Sequence, residues 1–157
     1  TTRNMITTVT WKLGGSTSYT DVTARMYYER ERGTTVYSGH TTTWSGKIGL
    51  MYASDFGYAT SGGSSTNRDT CLATELFNWS SGFNDCRNQD WLNKNQWTLI
   101  PDSSNSVSVF YITTAGFVGR SGASHSYGVY PSLYLSSNVS IAGGSGTSAN
   151  PYTLALN

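Results

Sequence analysis

The sequence predicts an α+β domain with a loop-rich face. Helical signals fall in its first half, between about residues 20 and 80, where apolar residues lie on one side of two capped segments. From Trp97 onward the pattern is strand and turn, with apolar residues recurring at strand-like intervals between Ser, Asn, Thr, Tyr and Gly. No internal repeat and no heptad pattern interrupts this order.

Each element has a local reason. Ile6–Leu13 alternates Ile6, Val9, Trp11 and Leu13 with Thr and Lys, as a half-buried strand does, and Gly14-Gly15 breaks it. Thr20 or Asp21 can cap a helix over Val22–Arg32 that Gly33 ends. Val36–Tyr37 reads as a short extended piece and Lys47–Tyr52 as a buried strand. The run SDFGYATSGGSST that follows reads as a long polar loop. Asn67 or Asp69 can cap a second helix over Thr70–Trp79, with Leu72, Leu76 and Phe77 on one face; Asn84–Asn95 is loop-like. Strands are expected around Trp97–Leu99, Val107–Thr113, Phe117–Val118, Val129–Leu135, Val139–Ile141 and Tyr152–Leu156. In the stretch 97–135, the expected inward pegs are Trp97, Leu99, Val107, Val109, Ile112, Val118, Val129, Leu133 and Leu135.

Composition narrows the function classes. The 157 residues suit one domain, 1–157, long enough to bury a core. Five Trp, eleven Tyr and five Phe argue against disorder. Only 12% of residues are charged, and ten Lys+Arg against nine Asp+Glu leave a net charge of +1. That balance does not suit phosphate-backbone binding or an anionic membrane surface, so neither nucleic acid nor direct membrane contact is expected. Low charge with abundant Ser, Thr, Tyr and Gly is common in secreted and cell-surface proteins, and no membrane span is visible. A chain starting at Thr1 leaves room for a leader, anchor or longer exported protein upstream.

Cys71 and Cys86 are too far apart for a CxxC pair, and no nearby His or Cys completes a zinc site. They read as one structural disulfide or as two buried free thiols. Closing a loop of this size would stabilise by about 3 kcal/mol.

Catalytic patterns fail one by one. Gly119-Arg120-Ser121-Gly122-Ala123 misses the GxSxG elbow at its last position, and His125 has no evident acid partner. His40 and His125 lack ligand-spaced neighbours. Asn84, Asp85, Asn88, Asp90 and Asn93 could offer oxygens to calcium, but neither EF-hand spacing nor an EPN or QPD triplet occurs. The nine acids show no suggestive pairing for glycoside hydrolysis. No enzyme and no cofactor is expected.

A binding surface is the positive case. Tyr gives contact area at low entropic cost, and Ser, Gly and Asn give adaptable hydrogen bonds. Ser106, Ser108, Tyr111, Thr113, Phe117, Arg120, His125, Tyr127 and Tyr130 are the candidate ligand-contacting residues, on a display surface spanning 102–130.

The ordered set W-T-L-x-P, V-x-V-F-Y, A-G-F-V, Y-G-V-x-P-x-L-Y-L and G-S-G-T-x-x-N-P-Y-x-L resembles a known family. So do KIGLMYASDFGYATSGG and the pattern Cys71, Asn78-Trp79, Asp85-Cys86, Asp90-Trp91-Leu92. The family is the C-type lectin-like domains of secreted or pilin-like proteins of gut Firmicutes, near the formylglycine-generating-enzyme branch. The match runs over about residues 5–156. Tyr130 stands where that group usually has arginine in G-V-R-P. The alternation in 102–127 is also similar to the variable proteins of diversity-generating retroelements. The resemblance implies a C-type lectin-like fold and an extracellular or cell-surface bacterial protein that binds a protein or glycan on another surface, as in adhesion. The alternative it implies is a structural subunit of a pilin-like fibre that self-associates. The cysteine activity of the formylglycine-generating relatives does not carry over, because Cys71 and Cys86 fall outside its usual C-terminal context.

Overall fold

The computed structural model describes residues 4–80, 82–87 and 92–157. It is a mixed α+β structure with three short α-helices and several small antiparallel sheets. The elements are β1 (Val9–Lys12), α1 (Ala24–Glu31), β2 (Thr43–Gly46), β3 (Ile48–Leu50), α2 (Ala53–Tyr58), α3 (Arg68–Ala73), β4 (Gln96–Pro101), β5 (Ser108–Ile112), β6 (Val118–Gly122), β7 (Pro131–Leu133), β8 (Val139–Gly143) and β9 (Thr153–Leu156). β1 pairs with β2, β3 with β7 and β8 with β9, while β4-β5-β6 form the one three-stranded sheet among the described residues.

The helices begin at different residues from those expected. Thr23, not Thr20 or Asp21, caps α1; its Oγ1 accepts from the Met26 N–H at 3.4 Å. Asn67 caps α3 by accepting from the Thr70 N–H at 2.9 Å. That helix stops at Ala73 and continues as a 3-10 helix, Leu76–Ser80, not as one helix to Trp79. The polar stretch after Tyr52 is partly helical. α2 starts there because the Asp55 carboxylate accepts from the Tyr52 N–H at 3.0 Å, satisfying a donor at the helix start. It packs closely on α1, since a side chain at Gly57 would come within 2.6 Å of the Ala24 Cβ. Val36–Tyr37 forms no strand, and the segment before β3 supplies β2 instead.

The core joins these helices to the inner face of β4-β5-β6. Val22, Tyr27, Phe56, Leu76, Trp79, Ile100, Phe110, Ile112 and Val118 are fully or almost fully buried, together with the Cys71–Cys86 disulfide. Phe56 packs on Trp79 at 5.5 Å and Tyr27 on Phe110 at 5.9 Å between ring centroids.

The register of β4 departs from the expected one by a single residue. Gln96, Thr98 and Ile100 point inward, so Trp97 and Leu99 take the opposite face. The inward Thr98 is tolerated because its hydroxyl donates to the Phe110 carbonyl at 2.8 Å. Of the other expected pegs, only Ile112 and Val118 are buried. Val107, Val129, Leu133 and Leu135 are exposed, and Val109 is half-buried on the outer face.

Candidate functional site

The outer face of the three-stranded sheet gathers an aromatic cluster. Trp97 and Tyr111 are direct cross-strand partners, with ring centroids 6.0 Å apart. Tyr127 arrives from the loop after β6 and packs on both, 4.6 Å from Trp97 and 4.7 Å from Tyr111. Its position is fixed by the next residue. The Trp97 N–H donates to the Gly128 carbonyl at 3.0 Å, and the Gly128 N–H donates to the Asn95 carbonyl at 2.7 Å. A side chain there would have to displace the Gln96 amide, because a Cβ on residue 128 would lie 2.5 Å from its nitrogen. Gly119 plays the same part opposite Tyr111; a Cβ there would sit 2.9 Å from the phenol ring.

His125 extends the cluster, 5.8 Å from Tyr127. Its Nδ1 lies 3.0 Å from the Gly122 carbonyl and 3.2 Å from Ser121 Oγ. A carbonyl can only accept, so the contact with Gly122 is a hydrogen bond when Nδ1 carries a proton. Partial burial, with the adjacent Tyr127 second, raises the pKa of the Tyr111 phenol. It remains a neutral hydrogen-bonding group at ordinary pH.

The same face continues into a concavity. Leu99 lies two residues beyond Trp97 on β4, and Val109 two residues from Tyr111 on β5, so each pair shares a face about 7 Å apart. Leu99, Pro101 and Val109 line an open hollow of 290 Å³ together with Leu13 and the segment Gly39–Thr41. The lining is apolar except for His40 and Thr41. One flank of the sheet's outer surface is thus a half-buried aromatic cluster, and the other is a hollow sized for a single side chain or ring.

Three of the expected ligand-contacting residues, Tyr111, His125 and Tyr127, come together here. The others are placed differently. Ser106 is exposed in the turn between β4 and β5, and Ser108 is half-buried at the start of β5. Thr113 is buried, and its hydroxyl accepts from the Phe117 N–H at 3.3 Å. Phe117 packs on the core side against Phe77, 5.7 Å away. Tyr130 is half-buried just before β7. Arg120 pairs across the sheet with the inward Phe110 and turns to that side. Its Nη1 donates to Asp102 Oδ2 at 2.9 Å, and its guanidinium lies 5.4 Å from the Tyr19 ring centre. The Arg120 side chain stays partly exposed while tying β6 to the buried Asp102 just after β4.

Trp97, Leu99, Val109, Leu13 and His40 join the surface without having been expected there. The signal for the first two was in Q-W-T-L-I-P itself, because taking Ile100 as the inward residue turns Trp97 and Leu99 outward.

Among the described residues, no three His, Cys, Asp or Glu side chains gather as metal ligands do. Asn88 and Asp90 lie outside the described residues. The Asp85 carboxylate accepts from the Ser65 hydroxyl and the Ser65 and Thr66 N–H groups, stapling that turn. The Ser65 hydroxyl first, then these backbone donors, hold its pKa below the ordinary carboxylate value. Asn84 Oδ1 accepts from Arg87.

No family model, curated protein or solved structure matches the chain.

Proposed function

We propose that the domain is a ligand-binding module of C-type lectin-like type, and that it recognises a protein ligand through the outer face of β4-β5-β6. The observation that carries this is the continuity of Trp97, Tyr111 and Tyr127 with the apolar hollow at Leu99, Pro101 and Val109. Clustered aromatics beside a pocket are what binding hot spots use. A protein partner fits better than a sugar. The Trp97 and Tyr127 rings are tilted by 38° and the Tyr111 and Tyr127 rings by 42°, so they make no flat stacking platform. The hollow also suits an apolar side chain, which a sugar lacks. The order of helices followed by antiparallel strands supports the C-type lectin-like assignment. Low charge and the disulfide support an extracellular setting.

The test is selection of peptides from a display library on the wild-type domain, counter-screened on Tyr127→Ala. Selected peptides should carry an apolar or aromatic anchor and lose about 30-fold or more in affinity on Tyr127→Ala, the loss of a hot spot worth about 2 kcal/mol. Peptides that bind both proteins equally would refute the site. Binding on a glycan array with no peptide selected would move the ligand to the sugar class.

A further inference from the structure

The chain carries no Asp, Glu, Lys or Arg after Arg120, so neither strand of the β8–β9 hairpin nor the turn between them holds a charged side chain. The hairpin pairs with no other strand among the described residues. Its register sets Val139 opposite Leu156 and Ile141 opposite Leu154. Partners opposite one another share a face, so one face is wholly apolar, and Ile141 on it is 62% exposed. A lone two-stranded hairpin is marginal in water. Protective devices are absent from its strands: there is no charge and no proline, and only β8 carries a bulge, between Ile141 and Gly143.

The backbone direction at β9 decides which partner fits. The Asn157 N–H donates to the Asn138 carbonyl at 2.8 Å, so Asn157 and Ala155 turn their backbone groups toward β8. Leu154 and Leu156 therefore turn theirs outward, to the open edge. We propose that this edge pairs with β9 of a second copy of the chain, antiparallel, about a two-fold axis at Ala155. In that register Leu154 faces Leu156 of the other copy, and each such pair exchanges two main-chain hydrogen bonds. Only registers centred on a residue keep the apolar faces of the two hairpins on the same side; a half-step shift would set apolar against polar. The result is a four-stranded sheet with one continuous apolar face. A charged strand is a poor occupant, because nothing in the hairpin could compensate a buried charge. A second copy brings a strand that is uncharged and has outward donors and acceptors already matched. The bulge on β8 twists the other edge and limits the assembly to two. A hairpin edge of four residues covers far less than the ~800 Å² per partner of a standard interface, so the association is weak and concentration-dependent. It is independent of ligand binding at the β4-β5-β6 face.

Cysteine trapping tests it on the whole chain. At the two-fold axis the Ala155 Cα atoms would be about 4.5 Å apart, the non-hydrogen-bonded antiparallel spacing, which a disulfide spans. Ala155→Cys should form a covalent dimer of twice the monomer mass under mild oxidation. Ser140→Cys should not, because it lies one strand further from the axis, with its copies about 14 Å apart. Leu154→Pro removes an outward N–H that β8 does not use, and in the Ala155→Cys background it should abolish the cross-link while the Cys71–Cys86 bond and the near-ultraviolet circular dichroism stay intact. Equal cross-linking at positions 140 and 155, cross-linking that survives Leu154→Pro, or no dimer from Ala155→Cys at high protein concentration would each overturn the proposal.

Discussion

Replacing Arg120 with alanine should destabilise the whole domain, although Arg120 sits in a Gly/Ser-rich segment that reads as surface. Its partner explains why. The Asp102 side chain is 0% exposed, and the Arg120 side chain is 36% exposed. Asp102 Oδ1 already accepts from the Ser104 N–H at 2.8 Å and the Ser104 hydroxyl at 2.7 Å. Oδ2 takes the Arg120 Nη1 donor at 2.9 Å. Removing the guanidinium leaves the buried carboxylate with two of these three donors, both on Oδ1, and no countercharge. Breaking a buried pair from one side costs about 3–5 kcal/mol, and the partial exposure of Arg120, which lets water reach the vacated side, favours the lower end. At about 2–4 °C per kcal/mol for a domain of this size, the melting temperature should fall by about 6–12 °C. Thermal unfolding followed by circular dichroism reads this directly. Arg25→Ala is the control: its i,i+4 pair with Glu29 is exposed on both sides, so its melting temperature should hardly move. If Arg120→Ala melts like Arg25→Ala, the pair with Asp102 is not a strut.

Three further outcomes are expected. Burial raises the Glu31 pKa above its ordinary value of about 4.5, although hydrogen bonds from Ser54 oppose the shift. The folded state then holds this proton more tightly than the unfolded chain. Its contribution is largest below the unfolded value and is lost as pH rises through the folded one. Glu31→Gln should therefore flatten the fall in stability over that window, as measured by denaturant titrations at a series of pH values; identical pH profiles would contradict the burial argument. Replacing Cys71 and Cys86 by serine opens a loop of sequence separation 15 and should cost about 3 kcal/mol, seen as a fall of roughly 6–12 °C in melting temperature. An unchanged melting temperature would mean that the loop is already restrained without the bond. Gly128→Ala should displace Tyr127 by pushing on Gln96, weakening peptide binding at least as much as it lowers stability; binding intact would show that Tyr127 is held by other contacts.

Much of this was legible in the residues, and the rest was hidden for definite reasons. The division into helices then strands follows from local chemistry and spacing, whereas the structure selects between alternatives the residues left open: Asn67 over Asp69 as the cap, and a Cys71–Cys86 disulfide over two free thiols. β4 was misleading because Trp97 and Leu99 are its most conspicuous apolar residues, while two inward positions hold Gln96 and Thr98, polar residues whose partners are visible only in three dimensions. α2 was hidden because a six-residue helix with a Gly and an Asp looks like a loop until Asp55 is seen to satisfy the Tyr52 N–H. Arg120 is exposed as its Gly/Ser-rich setting suggests, but nothing local marks Asp102, eighteen residues earlier, as its buried partner. Tyr111, His125 and Tyr127 were recognisable by type, but the parallel bridge at Gly128 that assembles them is a tertiary event.

The account rests on the outer face of β4-β5-β6 being the contact surface. Titration of isotope-labelled domain with a selected peptide, followed by backbone amide shifts, measures this most directly. The changes should cluster at Trp97, Leu99, Val109, Tyr111, Tyr127 and His40 and leave β8 and β9 untouched. Shifts confined to other parts of the domain, with these six residues silent, would contradict it.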